Sequence, residues 1–199
     1  MWAADLRSSS PPPAGLTAKV REVDAKSAIA IAAVMGGEGD LVSKRLARGC
    51  RCFGVWLGQE VVGYGWVSAQ PEWIGEIELE ITPPPGEAYV WNCVTVMEHR
   101  RKGIFRELLH SIAAREREEG MKRLWIGSVA IPAEGAVGAA GFVPALHFDT
   151  ASAWGRRWLR VRPAEADLDL VGAARQALSS GGRPLELGHS IRRVRPRRH

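Results

Sequence analysis

One segment near the middle of the chain constrains the fold more than any other. Residues 88–96 are rich in β-forming residues and lead directly into the basic run His99-Arg100-Arg101-Lys102-Gly103. From Ile104 onward the apolar residues recur at helical spacing, which predicts a helix that ends near Glu119. The first N–H groups of a helix lack internal acceptors and carry positive character, so basic residues at that point favour a bound phosphate. The segment therefore predicts a strand, an anion-binding turn and a helix in immediate succession.

The rest of the chain alternates between the two periodicities. Strict alternation from Ile74 to Ile81 places Glu76, Glu78 and Glu80 on one face, which predicts a single half-buried strand there. The whole order predicts an α/β (α+β) fold in which a mixed central sheet is flanked by helices on both faces. The predicted strands cover residues 17–23, 50–57, 61–69, 74–81, 88–96, 124–130, 142–148 and 153–161, and the predicted helices cover residues 25–35, 41–48, 104–119, 133–140 and 167–178.

The net charge of +5 is confined to the end of the chain. Residues 1–182 contain equal numbers of basic and acidic residues, whereas residues 183–199 contain six arginines and only Glu186. Such a basic tail can contact nucleic acid, anionic lipid or another acidic partner, or it can be a solvated end without a partner. The body of the protein is neutral and gives no nucleic-acid footprint of its own.

Length and composition indicate one soluble domain with two appendages. A chain of 199 residues with 46% hydrophobic residues can bury one sizeable core. We expect a flexible leader over residues 1–16, a domain over residues 17–162, and a C-terminal helix with the basic tail over residues 163–199. The leader has no apolar region typical of a secretory signal, and no apolar run is long enough to span a membrane. Three cysteines make no disulfide framework, so we expect a cytoplasmic protein, and the excess of arginine over lysine, 22 to 5, favours a bacterial source.

The central segment resembles the acyl-CoA-binding motif of the GNAT N-acetyltransferases. In that motif a strand is followed by [Q/R]-x-x-G-x-[G/A] at a helix start. Arg100 and Gly103 match it, whereas Phe105 stands where Gly or Ala is usual. Gly141-Phe142 resembles the closing Gly-Phe of the family. The order of elements from about Thr17 to Val161 also fits, and it implies the mostly antiparallel GNAT sheet.

The resemblance implies acetyl-CoA, or another acyl-CoA, as co-substrate and an amine as acceptor. Arg100 would brace the loop, and a phenyl ring at Phe105 narrows the passage beside it. Backbone groups of the strand would pair with the pantetheine arm, amides at the helix start would hold the pyrophosphate, and basic side chains would reach the other phosphate. The residues so implied are Val94, Thr95, Val96, Arg100, Arg101, Lys102, Gly103, Ile104, Phe105 and Arg106.

The catalytic acid of the family has no counterpart in this chain. A tyrosine often stands five residues before the Gly-Phe phenylalanine, and here that position is Val137. An asparagine often found earlier on the segment is replaced by Ala130. Two functions follow: an N-acyltransferase in which the thiolate leaves with another proton donor, or an acyl-CoA-binding module without turnover.

Candidates for the base lie on the central strand and its neighbours. Tyr89 is the ionisable residue at the usual position, although its ordinary pKa near 10 suits a hydrogen-bond partner better than a base. Glu78 is the second candidate, and Glu80 and Glu87 lie on or beside the same strands and can act through water. A solvent-facing role for the alternating glutamates stays open beside the catalytic one.

The acceptor is a small-molecule or peptide amine whose identity no motif fixes. Trp66, Trp73 and Trp91 lie on predicted strands, either as core or as the lining of a pocket for an apolar or aromatic substrate. Cys50 and Cys52 have no second ligand pair at zinc spacing, so we expect no metal. Homodimers are common in the family, but no residue pattern here demonstrates one.

Overall fold

The computed structural model describes residues 1–7, 18–128, 131–154, 156–165, 167–180 and 182–193. Five helices and fourteen strands occupy these ranges. The helices are α1 (Ala28–Met35), α2 (Leu41–Ala47), α3 (Ile104–Glu118), α4 (Ile131–Ala139) and α5 (Leu168–Ala177). The strands are β1 (Trp2–Asp5), β2 (Lys19–Glu22), β3 (Arg51–Leu57), β4 (Glu60–Ser68), β5 (Glu72–Ile74), β6 (Leu79–Ile81), β7 (Glu87–Thr95), β8 (Arg123–Ile126), β9 (Val143–Pro144), β10 (Leu146–Ala153), β11 (Arg156–Pro163), β12 (Leu178–Ser180), β13 (Arg183–Pro184) and β14 (Gly188–Arg193).

A seven-stranded mixed sheet forms the centre of the molecule, in the order β2-β3-β4-β7-β8-β1-β9. Its neighbouring strands are antiparallel, except that β7 and β8 run parallel. On β8, Leu124 and Ile126 pack against α3 and α4, whereas Trp125 packs against α5 on the opposite face. The α1 and α2 helices pack on β3 and β4 around Ile31 and Trp66. The predicted fold class is thereby confirmed.

The first residues of the chain are a strand inside the sheet. Trp2 lies opposite Ile126 of β8 and Pro144 of β9, so β1 is hydrogen-bonded on both sides. Ala3, Ala4 and Leu6 are buried because β1 is covered on both faces. The prediction of a flexible leader over residues 1–16 is therefore wrong for residues 1–7, and residues 8–16 lie outside the described residues.

The segment predicted as one strand from Ile74 to Ile81 is a hairpin. Strands β5 and β6 pair with Ile74 opposite Leu79, and residues 75–78 form the turn. Glu78 has a φ of +53° in this turn. Folding back lets Ile74, Leu79 and Ile81 bury in one cluster with α5, which a straight strand would not allow. The alternation of glutamates suggested a longer strand because a turn of charged residues has the same polarity as a solvent face.

Residues beyond 163 wrap back onto the hairpin. Asp167 caps α5 by accepting the backbone N–H of Asp169 at 3.0 Å, so the predicted helix is present. Strand β12 pairs with β6, and β14 pairs with β11 along the edge of the β10–β11 hairpin. The predicted basic tail is therefore partly sheet, because an edge strand accepts any extended backbone. Arg195, Arg197 and Arg198 lie outside the described residues.

Over the described residues, no helix is both long enough and apolar enough to span a membrane.

Candidate active site

Two parallel strands separate at the centre of the sheet. Strands β7 and β8 pair from Glu87 opposite Arg123 to Val90 opposite Ile126, where β8 ends and β7 continues to Thr95. The other edge of β7 is irregular, because its pairing with β4 shifts between Trp91 and Val94. Asn92 in this bulge has a φ of +43°. A wedge-shaped gap therefore opens beside residues 91–95 of β7.

The closed end of this gap is held by Glu87. Its carboxylate accepts from Arg123 Nη1 at 2.8 Å and from Trp125 Nε1 at 2.6 Å, so it ties β7 to β8. These contacts occupy both oxygens of a residue that the sequence offered as a base acting through water. We assign Glu87 to holding the two strands together.

The loop between β7 and α3 has the geometry of an anion site. Arg100 Nε donates to the carbonyl of Thr95 at 3.2 Å, which ties the loop to the end of β7. Arg101 and Gly103 have left-handed φ angles of +63° and +78°, and α3 begins at Ile104. Such turns direct consecutive backbone N–H groups to one side, at the positive end of the helix dipole.

The remaining residues that the resemblance assigns to CoA differ in exposure and in whether their backbone groups already have hydrogen-bond partners. Arg101, Lys102 and Arg106 are exposed around the loop, whereas the side chain of Ile104 is buried beneath it. Val96 is occupied within the protein, because its N–H donates to Val62 O at 3.0 Å and its carbonyl accepts from His99 N–H at 2.9 Å. The expected pairing of the Val96 N–H with a pantetheine arm is therefore wrong.

A cleft of about 460 Å³ passes through the gap from one face of the sheet to the other. Phe105 and Ala133 line it on the α3 and α4 side, while Tyr89 and Trp91 line it on the opposite face. Its complete lining consists of Glu38, Arg45, Trp73, Ile74, Gly75, Glu76, Tyr89, Trp91, Asn92, Cys93, Phe105, Ile126, Gly127, Ser128 and Ala133. Two molecules can therefore meet in the gap from opposite faces.

A second cleft of about 400 Å³ adjoins the first. It lies between the β5–β6 hairpin, the start of β10 and the first residue of the chain. The two clefts share four residues, Ile74, Glu76, Gly127 and Ser128. The carboxylate of Glu76 consequently stands at their junction.

Of the two residues that the sequence offered for catalysis, one lines a cleft and the other does not. Tyr89 lines the first cleft, and a Cβ added to Gly127 would lie 3.2 Å from its hydroxyl oxygen. Burial, reinforced by the charge of Glu76, raises the pKa of Tyr89 well above its ordinary value, so the phenol stays protonated and is a donor rather than a base. Glu78 lies in the same turn as Glu76 but is not among the described residues that line either cleft.

Val137 fills the position of the family's catalytic tyrosine and is fully buried against α3 and the sheet. It packs in the core and does not face either cleft. Ala130, the second departure from the family pattern, lies outside the described residues. The described structure therefore places no proton donor at the position where the family often has its tyrosine.

Sequence reasoning missed an arginine, Arg45, that lines the first cleft on the α2 side. The Arg45 guanidinium lies over the rings of Trp66 and Trp91, at 5.2 and 4.5 Å from their centroids, and pairs with Glu38 at 3.2 Å. With the Asn92 amide oriented so that its oxygen faces Arg45, that oxygen accepts from Nη1 at 2.7 Å. Arg45 thus links α2 to the bulge in β7. A basic residue on a short amphipathic helix gave no signal of this role.

The cysteine at the gap is not an activated nucleophile. Burial raises the pKa of the Cys93 thiol to about 12, so the sulfur is protonated near neutral pH. Within the described ranges, no three His, Cys, Asp or Glu side chains are grouped to hold a metal ion.

Comparisons with known proteins agree with this geometry. The sequence profile described as the Acetyltransferase (GNAT) family matches residues 31–142, which run from α1 to the Gly141-Phe142 pair. A search of curated proteins found no significant match.

Solved structures share the fold at low identity. A probable acetyltransferase is 13% identical, with a TM-score of 0.51 over 68% of this chain and 96% of its own. The aminoglycoside N-acetyltransferase AAC(6')-Iy in complex with CoA is 12% identical, with a TM-score of 0.50 over 66% of this chain and 91% of its own. The ribosomal-protein-S18-alanine N-acetyltransferase from Escherichia coli is also 12% identical, with a TM-score of 0.49 over 68% of this chain and 79% of its own.

The profile match covers more than half of the chain and ends at the residues that the sequence itself singled out. The first two structures carry the same fold over two thirds of the chain or slightly more. The protein belongs to the GNAT family of acetyltransferases.

Proposed function

We propose that the protein transfers an acetyl or other short acyl group from acyl-CoA to the nitrogen of a primary amine, in the gap between β7 and β8. The cleft through this gap carries the proposal. An anion-binding loop stands at its α3 side, and an open acceptor side lies on the other face of the sheet. Donor and acceptor would thus approach one another without competing for space.

The residues of the donor side fit CoA. Exposed basic side chains of Arg101, Lys102 and Arg106 surround the start of α3, where the helix dipole also favours a pyrophosphate or a further phosphate. The Thr95 hydroxyl is buried without a hydrogen-bond partner in the described structure, at the end of the strand edge that the gap exposes. When bound, acyl-CoA supplies a carbonyl carbon activated by its bond to sulfur.

Proton transfer falls to Tyr89 and Glu76. Transfer forms a C–N bond and breaks the C–S bond, so the nitrogen must lose a proton and the departing sulfur must gain one. Tyr89 is protonated and faces Gly127 at the closed end of the gap, which suits a donor to the sulfur. Glu76 lines the acceptor side and suits removal of the amine proton through water. It takes the role expected of Glu78.

The test is a titration followed by a turnover assay. Calorimetry with acetyl-CoA should show micromolar binding, and a panel of primary amines should release free CoA thiol in the presence of acetyl-CoA. Binding of acyl-CoA with no release for any amine would contradict the proposal in favour of a binding module. The absence of binding by folded protein would contradict both.

We expect Tyr89→Phe to lower kcat by about 100-fold while leaving the affinity for acetyl-CoA unchanged, because only the proton donor is lost. Since the pKa of Tyr89 is raised, the wild type should keep this donor through pH 9, and no alkaline loss of activity should arise from it below that pH. Steady-state kinetics between pH 7 and pH 9 measure both effects.

Tyr64→Phe is the matched control, because Tyr64 is the other tyrosine of the chain, is similarly buried in the α1–α2 cluster and lines neither cleft. Equal losses in the two variants would mean that removing a buried hydroxyl, rather than a donor at the gap, causes the effect.

A further inference from the structure

The acceptor side of the gap has a chemical character of its own. Trp73 on β5 is 62% exposed at the cleft, although a tryptophan of a soluble protein usually buries most of its surface. Trp91 lines the same space, and its indole Nε1 is buried without a partner among the described residues. Ile74 and Ile126 complete an apolar wall. A ligand with a flat apolar body would cover this surface.

Charge complementarity defines the other end of the ligand. Glu38 is paired with Arg45, and Asp149 of the second cleft is paired with Arg162 at 2.8 Å. Glu76, by contrast, has no ion pair with any described residue, yet it stands where the two clefts join. A carboxylate left unpaired beside aromatic rings favours a single cationic group attached to an apolar body.

The hairpin that presents Trp73 and Glu76 is held in place by the C-terminal part of the chain. Leu178 of β12 pairs with Ile81 of β6, and Thr82 N–H donates to Ala177 O at 2.7 Å at the end of α5. Residues 168–180 lie outside the range that matches the family profile. The selectivity of the acceptor side therefore depends on a segment that the family match does not include.

We infer that the acceptor is a monoamine carried on an aromatic or similarly flat apolar group, with its ammonium at Glu76 and its body against Trp73 and Trp91. This inference rests on the proposed function and names the substrate class of the same site. The nitrogen at Glu76 then lies beside the gap. There the ammonium loses one proton to solvent through Glu76 before it attacks the acyl carbon, and it loses a second proton as the C–N bond forms and the sulfur is protonated.

Two amines that differ in their bodies test the inference. We expect kcat/KM for 2-phenylethylamine to exceed that for ethanolamine by about 100-fold, with acetyl-CoA as donor. Trp73→Ala should raise KM for 2-phenylethylamine about 10-fold and leave kinetics with ethanolamine unchanged. Trp154→Ala, at a residue 94% exposed outside both clefts, is the matched control and should change neither amine.

Two further variants test the role of the Glu76 carboxylate. Glu76→Gln should lower the affinity for both amines, whereas Glu165→Gln, at an exposed residue that lines neither cleft, should change neither affinity. Calorimetric titration of 2-phenylethylamine into the protein without CoA gives a readout apart from turnover, and both Trp73→Ala and Glu76→Gln should reduce that affinity.

The outcomes separate the two claims. Equal kinetics for the two amines, or a Trp73→Ala effect that is the same for both, would overturn the inference and leave the acyltransferase standing. Acetyl-CoA binding without transfer to any amine would overturn the proposed function. Tight binding of 2-phenylethylamine that depends on Trp73 and Glu76 would support the inferred ligand class in either case.

Discussion

Gly103→Asp is expected to weaken acetyl-CoA binding by about 100-fold, a loss of about 2.7 kcal/mol. Gly103 precedes α3 with a φ of +78°, a conformation that other residues adopt only with strain. The aspartate adds a negative charge where the loop amides and the helix dipole favour an anion. Calorimetric titration of wild type and variant measures the effect.

Two further variants separate charge from backbone strain. Gly103→Asn introduces a side chain of the same size without the charge, and asparagine tolerates left-handed φ, so it should lose far less affinity. Gly120→Asp, at the other end of α3 with a φ of +83° and no heavy atom near its added Cβ, should bind acetyl-CoA as wild type does. If Gly103→Asn and Gly103→Asp lose equal affinity, the loop does not act as an anion site.

Arg51→Met is expected to lower the free energy of unfolding by about 3 to 5 kcal/mol, because it leaves a buried carboxylate without its counter-charge. The Arg51 guanidinium lies 2.7 Å from a carboxylate oxygen of Glu22 and 2.7 Å from one of Glu116. It also lies 2.5 Å from a carboxylate oxygen of Glu119. Glu116 is only 1% exposed on the inner face of α3. Urea denaturation measures the loss.

The effect should depend on pH in a defined direction. Burial raises the pKa of Glu116 above its ordinary value, while Arg51 opposes that shift. Removing Arg51 raises the pKa of Glu116 in the folded state further. Above the pKa that Glu116 has in the unfolded chain, unfolding then releases a proton, so the free energy of unfolding falls as the pH rises. The loss in Arg51→Met should therefore be larger at pH 8 than at pH 5.

Replacing both partners is the control for this ion pair. Arg51→Met combined with Glu116→Leu should recover most of the lost stability, since an apolar pair of similar volume needs no counter-charge. A double variant as unstable as Arg51→Met would show that packing by the arginine stem, rather than the unpaired Glu116, explains the loss.

Local patterns in the sequence predicted the elements around the loop between β7 and α3 well. Helix α3 follows directly from the spacing of Ile104, Leu108 and Ile112, all of which are buried. The turn before it follows from Gly103 and its basic neighbours. Short, local signals of this kind depend on few distant contacts, so one sequence suffices to interpret them.

Features that depend on distant residues were not predictable in the same way. Strand β1 exists because Trp2 meets Ile126 and Pro144, and four residues of mostly small side chains contain no such information. The hairpin turn at Glu76 is fixed by α5, about a hundred residues later. For the same reason Glu78 and Glu76 could not be told apart as candidates, since alternation alone does not show which carboxylate faces a cleft.

The expected partners, location and source of the protein stay predictions. A homodimer and an acidic partner for the C-terminal arginines both concern surfaces outside the gap, and the same applies to a cytoplasmic location and a bacterial source. The pairing of β14 with β11 does narrow the question, because it removes residues 188–193 from the free tail.

The position of β1 has a consequence for the order in which the chain folds. Residues 2–5 are synthesised more than a hundred residues before their partners in β8 and β9. Until residue 126 has been synthesised, β1 has no strand to pair with, and a wait of this kind slows folding through loop-closure entropy. Once β8 emerges, its outer edge stays open until β1 returns to it, so an early intermediate presents an unpaired strand to other chains. Prompt return of residues 2–5 to β8 would therefore shorten the time for which this edge is open to other chains.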